Sequence, residues 1–153
     1  MSRAFVKELE DGVEELPERP ISPHPNLVTA EGLAHIEAEV TRLQQEHAAA
    51  QAANDRTALA RAARDLRYWT ARRATAQPVA APSDRSKVHF GSTVTIVRND
   101  GRRQTFRVVG EDEADPARGT LSHASPLARA LFGKELGDTV KVAQSEAEIV
   151  EIA

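Results

Sequence analysis

Hydrophobic and small side chains follow a helical spacing in the first half of the chain. Between residues 29 and 77 they recur at alternating intervals of three and four residues, in two successive segments. The first seam is Leu33, Ile36, Val40, Leu43, His47 and Ala50, and the second is Leu59, Ala62, Leu66, Trp69, Arg73 and Ala76. Heptad seams of this kind pack two helices side by side. Because the polar connection Asn54-Asp55-Arg56 is short, residues 29–77 are predicted to form an antiparallel helical hairpin, a coiled coil with this polar tip.

Beyond the hairpin the spacing of apolar side chains changes. Residues 78–86 contain two prolines and are predicted to be a linker. From residue 88 to residue 97 the pattern alternates, which predicts a strand with a bulge at Gly91. The sequence Asn-Asp-Gly at 99–101 then predicts a tight hairpin turn.

A short helix is predicted near the end of the chain. Ser125 is suited to cap it, and Pro126 is favoured at the first helical position. Further strands are predicted at 102–109, 120–122, 139–142 and 148–152. Residues 87–153 are therefore predicted to form a small, mostly antiparallel sheet with one short helix, in a chain of the α+β class.

The segment before the hairpin is predicted to be an extended tail. Residues 1–28 contain four prolines, and acidic side chains crowd positions 8–18, so a continuous helix is disfavoured. Two interpretations remain open: a flexible solubilising arm, or a strap in which residues 20–25 pack along the domain. Thr29 is suited to cap the first helix that follows.

Composition excludes several classes of protein and leaves a charge asymmetry. The chain has no cysteine and no apolar run of about 18 residues, so a disulfide scaffold and a membrane span are excluded and a cytoplasmic protein is expected. The net charge is −3, whereas residues 56–73 carry six arginines and one aspartate. Binding to nucleic acid by phosphate neutralisation alone is not favoured. The arginines of the second arm form either a solvated face or a local patch for an acidic partner.

Four carboxylates lie close together at Glu111, Asp112, Glu113 and Asp115. The twelve-residue ligand spacing of a calcium loop is absent, so a solvated loop is expected here rather than a calcium site. The five histidines are scattered, which argues against a histidine metal site.

The stretch from Gly110 to Asp138 resembles the C-terminal domain of bacterial Gre transcript-cleavage factors. The shared pattern is an acidic loop that ends in Asp-Pro, then Ser-Pro-Leu-Ala-Arg-Ala-Leu-Phe-Gly-Lys at 125–134 and Gly-Asp at 137–138. The order of parts is also similar: a helical hairpin, a linker and an FKBP-like sheet domain. The tail resembles that of a GreB-like subgroup.

The resemblance implies a partner and a site. Gre factors dock their sheet domain on RNA polymerase, at the rim of the secondary channel, and insert the hairpin towards the active centre. Mapped onto this chain, docking falls on Ser125, Pro126 and Arg129. The resemblance further implies a cytoplasmic monomer that is not an enzyme, has no cofactor of its own and meets DNA or RNA only within the transcription complex. Carboxylates at the tip of such factors help to hold a Mg²⁺ shared with the polymerase.

Two departures from the family pattern bear on that Mg²⁺. The tip offers only Asp55, flanked by Asn54 and Arg56, and the arms are several turns shorter than in cleavage-competent factors. Asp55 is thus the candidate metal ligand, and weak or absent stimulation of transcript cleavage is expected. The alternatives are a regulator similar to the relative Rnk, which competes with cleavage factors for the channel, and a short but active cleavage factor.

Two other classes were weighed. A prolyl isomerase needs an apolar, aromatic-lined cavity, and residues 79–153 contain only three aromatic side chains, Phe90, Phe106 and Phe132. A simple interaction module would self-associate through the apolar face between Leu33 and Leu43. The Gre-like elongation regulator is the preferred hypothesis.

Overall fold

The computed structural model describes residues 16–153, which form two compact units. One unit combines the described residues up to Pro23 with Ala34–Thr75, and the other combines His24–Leu33 with Ala76–Ala153. The units differ from the predicted boundaries, because residues 24–33 and the linker pack with the sheet domain. The remainder of the predicted tail, residues 1–15, lies outside the described residues.

Two long helices form the hairpin. Helix α1 spans Ala30–Ala52 and helix α2 spans Arg56–Thr75, with three residues between them. The α1 seam is buried at Ile36, Val40, Leu43 and Ala50, and the α2 seam at Ala62 and Trp69. The predicted hairpin and its tip are confirmed.

The end of the second seam differs from the prediction. Arg72, which was expected on the solvated face, is only 2% exposed, whereas the predicted seam residue Arg73 is exposed. Arg72 follows the buried Trp69 at an interval of three residues, which places both side chains on one side of α2. The predicted seam continued from Trp69 by four residues to Arg73, whereas the buried position lies at the three-residue interval.

The sheet domain contains a mixed five-stranded sheet. Its strands are β3 (Thr93–Arg98), β4 (Arg103–Val109), β5 (Thr120–Ser122), β6 (Thr139–Val142) and β7 (Ser145–Ile152). They lie in the order β5-β4-β3-β7-β6. All neighbours are antiparallel except β4 and β5, which pair in parallel with Arg107 opposite Thr120. The sequence pattern predicted the strands but not this parallel pair. The loop after β4 brings the chain back to the level of Arg107, so β5 runs beside β4 in the same direction.

A second, two-stranded sheet was not predicted. Strand β1 (Leu27–Val28) pairs in parallel with strand β2 (Gln77–Pro78). The segment that precedes the helical hairpin is thus hydrogen-bonded to the segment that follows it. Two-residue strands carry too little periodicity to be recognised in a sequence.

The first predicted strand starts later than expected. Gly91 has a φ of 88°, and the Ser92 N–H bonds the carbonyl of His89 at 3.0 Å. Gly91 therefore lies in a turn before β3 and is not a bulge within it. The hairpin between β3 and β4 is confirmed, and Gly101 takes the left-handed conformation in its turn, with a φ of 84°.

One short helix covers the sheet. Helix α3 spans Pro126–Leu131 and buries Leu127, Ala128 and Leu131. These side chains join a core formed by Val88, Phe90, Val94, Ile96, Val108, Leu121, Val140, Ala147 and Ile149. The predicted α+β class is confirmed: a helical hairpin is followed by a sheet domain with one helix.

The acidic loop is built into the fold and is not simply solvated. The Glu113 carboxylate accepts hydrogen bonds from the Thr29 N–H at 3.1 Å, from the Thr29 hydroxyl, and from the Gly110 N–H at 3.3 Å. The Thr29 hydroxyl oxygen in turn accepts from the Gly32 N–H at 3.0 Å, as expected of a helix N-cap. Asp115 caps the 3-10 turn Pro116–Arg118. The predicted solvated loop was wrong for Glu113, because sequence spacing does not show which backbone donors a carboxylate will meet.

Within residues 16–153, no helix combines the length and apolar character that crossing a membrane requires.

Gly32→Ala should lower the free energy of unfolding, although alanine normally favours a helix over glycine by about 1 kcal/mol. A Cβ at this position would overlap the Glu113 carboxylate. The carboxylate then has to leave its donors, and charge-assisted hydrogen bonds contribute about 1.5–3 kcal/mol each. We expect a net loss of about 1–3 kcal/mol, measured by denaturant unfolding.

The control for this substitution is the Glu113→Ala background. With the carboxylate removed, Gly32→Ala should be neutral or stabilising, as at an ordinary helical position. An equal loss of stability in both backgrounds would show that the overlap with Glu113 is not the cause.

Candidate functional site

The hairpin tip turns at a left-handed residue. Asn54 has a φ of 54°, a conformation that asparagine tolerates better than most residues. Its N–H bonds the carbonyl of Gln51 at 3.2 Å, and the Asp55 N–H bonds that of Ala50 at 2.9 Å. These bonds satisfy the last carbonyls of α1 and end the helix. The three predicted tip residues, Asn54, Asp55 and Arg56, are all exposed.

Asp55 is the N-cap of α2. Its Oδ1 accepts a hydrogen bond from the Ala58 N–H at 3.1 Å, and its backbone carbonyl accepts the first helical bond from Leu59 at 2.9 Å. A carboxylate here satisfies an unpaired backbone donor and is favoured by the helix dipole. Asp55, the candidate metal ligand, therefore stabilises the N-terminus of α2.

A groove of about 370 Å³ lies between the arms next to the tip. Glu46, Asp55, Arg61 and Asp65 line it together with small alanine side chains. Because the chain folds back at the tip, Glu46 on α1 and Asp65 on α2 line the same groove from the two arms. Each remains nine or ten residues from Asp55 along its own arm.

Two carboxylates of the groove, Glu46 and Asp65, form pairs with arginines. Glu46 bonds Arg42 at 2.6 Å, and Asp65 bonds Arg64 at 3.1 Å. Among residues 16–153, no group of three or more histidine and carboxylate side chains is arranged to hold a metal ion. A Mg²⁺ ion needs several oxygen ligands in octahedral geometry, and the described residues do not bring such a set together at the tip.

Of the three predicted docking residues, Ser125 and Pro126 lie at the start of α3 and Arg129 lies in its last turn. Ser125 has φ −66° and ψ 153°, and its Oγ accepts from the Ala128 N–H at 3.2 Å. Pro126 occupies the first turn, as predicted. The Ser125 hydroxyl therefore serves the helix as its cap, while Pro126 and Arg129 are exposed.

Two exposed apolar side chains extend this surface. Phe132 is 42% exposed and Leu136 is 63% exposed. Pro126, Arg129 and Phe132 follow one another at intervals of three residues, so they are neighbours on one side of the short helix. The sequence pattern did not identify Phe132 or Leu136 as exposed. Periodicity shows which positions are apolar, but it does not show which of them remain in contact with solvent after folding.

A serine, a histidine and an aspartate also meet in the segment before the sheet. Asp84 accepts from the Ser86 hydroxyl at 2.6 Å and contacts His89 Nε2 at 3.0 Å. The Ser86 hydroxyl, and then the His89 ring, hold the pKa of Asp84 far below its usual value. The hydroxyl is directed at the carboxylate and not at the imidazole, so the arrangement does not activate a serine nucleophile.

Comparisons with known proteins agree with the sheet-domain motif. Residues 82–153 match the family model described as "Transcription elongation factor, GreA/GreB, C-term". GreA of Alkalilimnicola ehrlichii is 50% identical over 78 residues, which cover 48% of this chain and 49% of that protein. GreA of Hyphomonas neptunium is 58% identical over 59 residues, or 38% of each chain. The matches thus span half or less of the length of these curated relatives.

Solved structures were also matched at low identity. GreA factor homolog 1 of Thermus thermophilus is 22% identical, with 85% of this chain and 99% of that one covered and a TM-score of 0.41. A GreA/GreB elongation factor of Nitrosomonas europaea is 19% identical, with 82% and 97% covered and the same TM-score. Neither match carries a functional conclusion for this chain.

The segment that matches the family model contains the five-stranded sheet, the acidic loop and α3. It also contains the predicted docking residues Ser125, Pro126 and Arg129. Residues 82–153 therefore match a GreA/GreB C-terminal domain, the family that the acidic loop and the Ser-Pro helix predicted.

Proposed function

We propose that this protein is a transcription elongation factor that binds RNA polymerase at its secondary channel. The observation that carries the proposal is the GreA/GreB C-terminal domain itself, found at about 50% identity to GreA. Its short helix presents Pro126, Arg129 and Phe132 to solvent, which gives a partner one cationic and two apolar contacts. Arginine and aromatic side chains are the residue types enriched at the energetic centres of interfaces.

The hairpin is proposed to enter the channel and regulate elongation with little stimulation of transcript cleavage. Asp55 is the single carboxylate at the tip, one of its oxygens caps α2, and Arg56 lies next to it. A nearby guanidinium opposes the binding of a cation, and one ligand holds a labile Mg²⁺ weakly. We further propose that the protein acts as a cytoplasmic monomer.

The depleted tip favours a second candidate, a regulator that occupies the channel and excludes cleavage factors. This role needs the docking surface and the hairpin but no metal ligand. It is distinguished by competition: added to a polymerase already stimulated by a cleavage factor, the protein would lower the cleavage rate instead of raising it.

Arg129→Ala should weaken binding to RNA polymerase without unfolding the domain. Arg129 is exposed and follows the cap, so its loss leaves the Ser125 hydrogen bond in place, whereas Ser125→Ala would remove the cap as well. We expect the dissociation constant to rise about fivefold or more, as for truncation of an interface residue worth about 1 kcal/mol. The measurement is a binding titration with the core polymerase.

Arg118→Ala is the matched control for Arg129→Ala. Its side chain is 87% exposed and makes only a 3.6 Å ion pair with Asp115, on a different loop of the same domain. It should leave polymerase binding unchanged. Equal effects of both substitutions would indicate general electrostatics and contradict docking through α3.

Substitutions at Asp55 separate its structural task from a role in cleavage. Asp55→Asn keeps a good N-cap and removes the charge, whereas Asp55→Ala removes both and should cost the hairpin about 1 kcal/mol. We expect wild type to stimulate RNA cleavage weakly in a backtracked elongation complex, and Asp55→Asn to behave like wild type. Strong cleavage by wild type that Asp55→Asn abolishes would establish an active cleavage factor instead.

A further inference from the structure

The described part of the tail crosses the second arm of the hairpin. Glu18 lies against Arg67, with the guanidinium Nε at 2.9 and 3.0 Å from the two carboxylate oxygens. A second nitrogen of the same guanidinium, Nη2, also bonds Glu18. A planar guanidinium fork that faces a carboxylate in this way is the geometry of a specific pair rather than of a chance encounter.

The next residue of the tail adds a second attachment. The Arg19 guanidinium lies 4.0 Å from the centre of the Tyr68 ring and 5.8 Å from that of Trp69. The same side chain makes an ion pair with Asp65 at 3.5 Å. Two adjacent tail residues of opposite charge therefore each meet a complementary group on α2. The strap interpretation of the tail is supported, although Glu18 and Arg19 make these contacts and the predicted strap was residues 20–25.

These attachments lie beside a row of arginines. Arg61, Arg64 and Arg67 follow one another at intervals of three residues, which makes them neighbours on the surface of α2. Arg61 is exposed and has no ion pair among residues 16–153, and Arg64 bonds its neighbour Asp65. Glu18 thus neutralises Arg67, the last arginine of the row, whereas Arg61 at the other end has no ion pair among the described residues.

The strap is held by contacts that water and salt weaken. The Glu18 and Arg67 side chains are 62% and 55% exposed. The hydrogen bond from Arg67 lowers the pKa of Glu18, so the pair stays ionised at neutral pH. Exposed pairs of this kind contribute little to stability and are screened by ions. A competing anion does not need to break a buried contact to replace Glu18.

We propose that residues 16–23 are a displaceable strap, which withholds Arg67 from the phosphate backbone of a single-stranded nucleic acid. A guanidinium fork accepts a phosphate in the same two-bond geometry as a carboxylate, so phosphate can take the place of Glu18. Arginines in a row next to an aromatic side chain suit a single strand, whose bases can stack. Release of the strap makes the Arg67 guanidinium available to a phosphate, next to Arg61 and Arg64. This inference concerns the hairpin alone and does not depend on docking to RNA polymerase.

The test compares two variants of equal charge. Glu18→Gln removes the partner of Arg67, whereas Glu37→Gln removes an exposed carboxylate of α1 that has no ion pair among the described residues. Binding of a fluorescently labelled oligothymidylate is followed by anisotropy. Glu18→Gln should raise the affinity by about threefold to fivefold and Glu37→Gln by much less.

The salt dependence identifies the cause of the gain. One additional phosphate contact steepens the slope of log K against log salt by about 0.7 for a single strand. Glu18→Gln should show this change, and it should disappear in the Arg67→Ala background. Equal gains from Glu18→Gln and Glu37→Gln, a gain that persists without Arg67, or no oligonucleotide binding by any variant would each overturn the proposal.

The single tryptophan reports the strap directly. Because Arg19 lies over Tyr68 and near Trp69, displacement of the strap changes the surroundings of the indole. The fluorescence of Trp69 should change when oligothymidylate is added to wild type, and the change should be smaller in Glu18→Gln, whose strap is already loosened. A fluorescence that is unaltered at saturating oligonucleotide would show that the strap stays in place.

Discussion

The Glu113 carboxylate joins the acidic loop to Thr29, the N-cap of α1. These two pieces of chain are 84 residues apart in sequence, and within the loop the same carboxylate also accepts from the Gly110 N–H. The cap hydroxyl of Thr29 both donates to Glu113 and accepts from Gly32, so helix initiation and loop closure share one side chain. With the β1–β2 pair, this contact binds the chain that enters the hairpin to the domain that follows it.

Two helix caps in this protein lie on surfaces that are proposed to interact with a partner. Asp55 caps α2 at the tip of the hairpin, and Ser125 caps α3 at the proposed docking surface. A cap requires an oxygen acceptor at the helix N-terminus, and exposed helix N-termini are also suited to meet a partner. A substitution that removes the capping oxygen, such as Asp55→Ala, therefore lowers the stability of the helix as well as any binding. Asp55→Asn keeps the cap, so its effect on function can be measured separately.

Arginine accounts for much of the surface chemistry of the hairpin. Its planar fork pairs with Glu18 in the strap, with Glu46 beside the tip groove and with Asp65 between them. The pairs of Glu18 and Glu46 are largely exposed, so each contributes little to stability. The net charge of −3 conceals this pattern, because acidic residues of the tail offset a strongly basic second arm.

Local patterns in the sequence predicted the hairpin, its tip, the capped short helix and the similarity of the C-terminal segment to GreA/GreB factors. Those features rest on periodicity, on capping residues and on a contiguous motif, all of which are local. Four other features follow only from the tertiary structure: the parallel β4–β5 pair, the burial of Arg72, the exposure of Phe132, and the groove that Glu46 and Asp65 line from opposite arms. Each of these features depends on which distant segment of the chain packs against the residue. The order of apolar and polar residues along the chain does not contain that information.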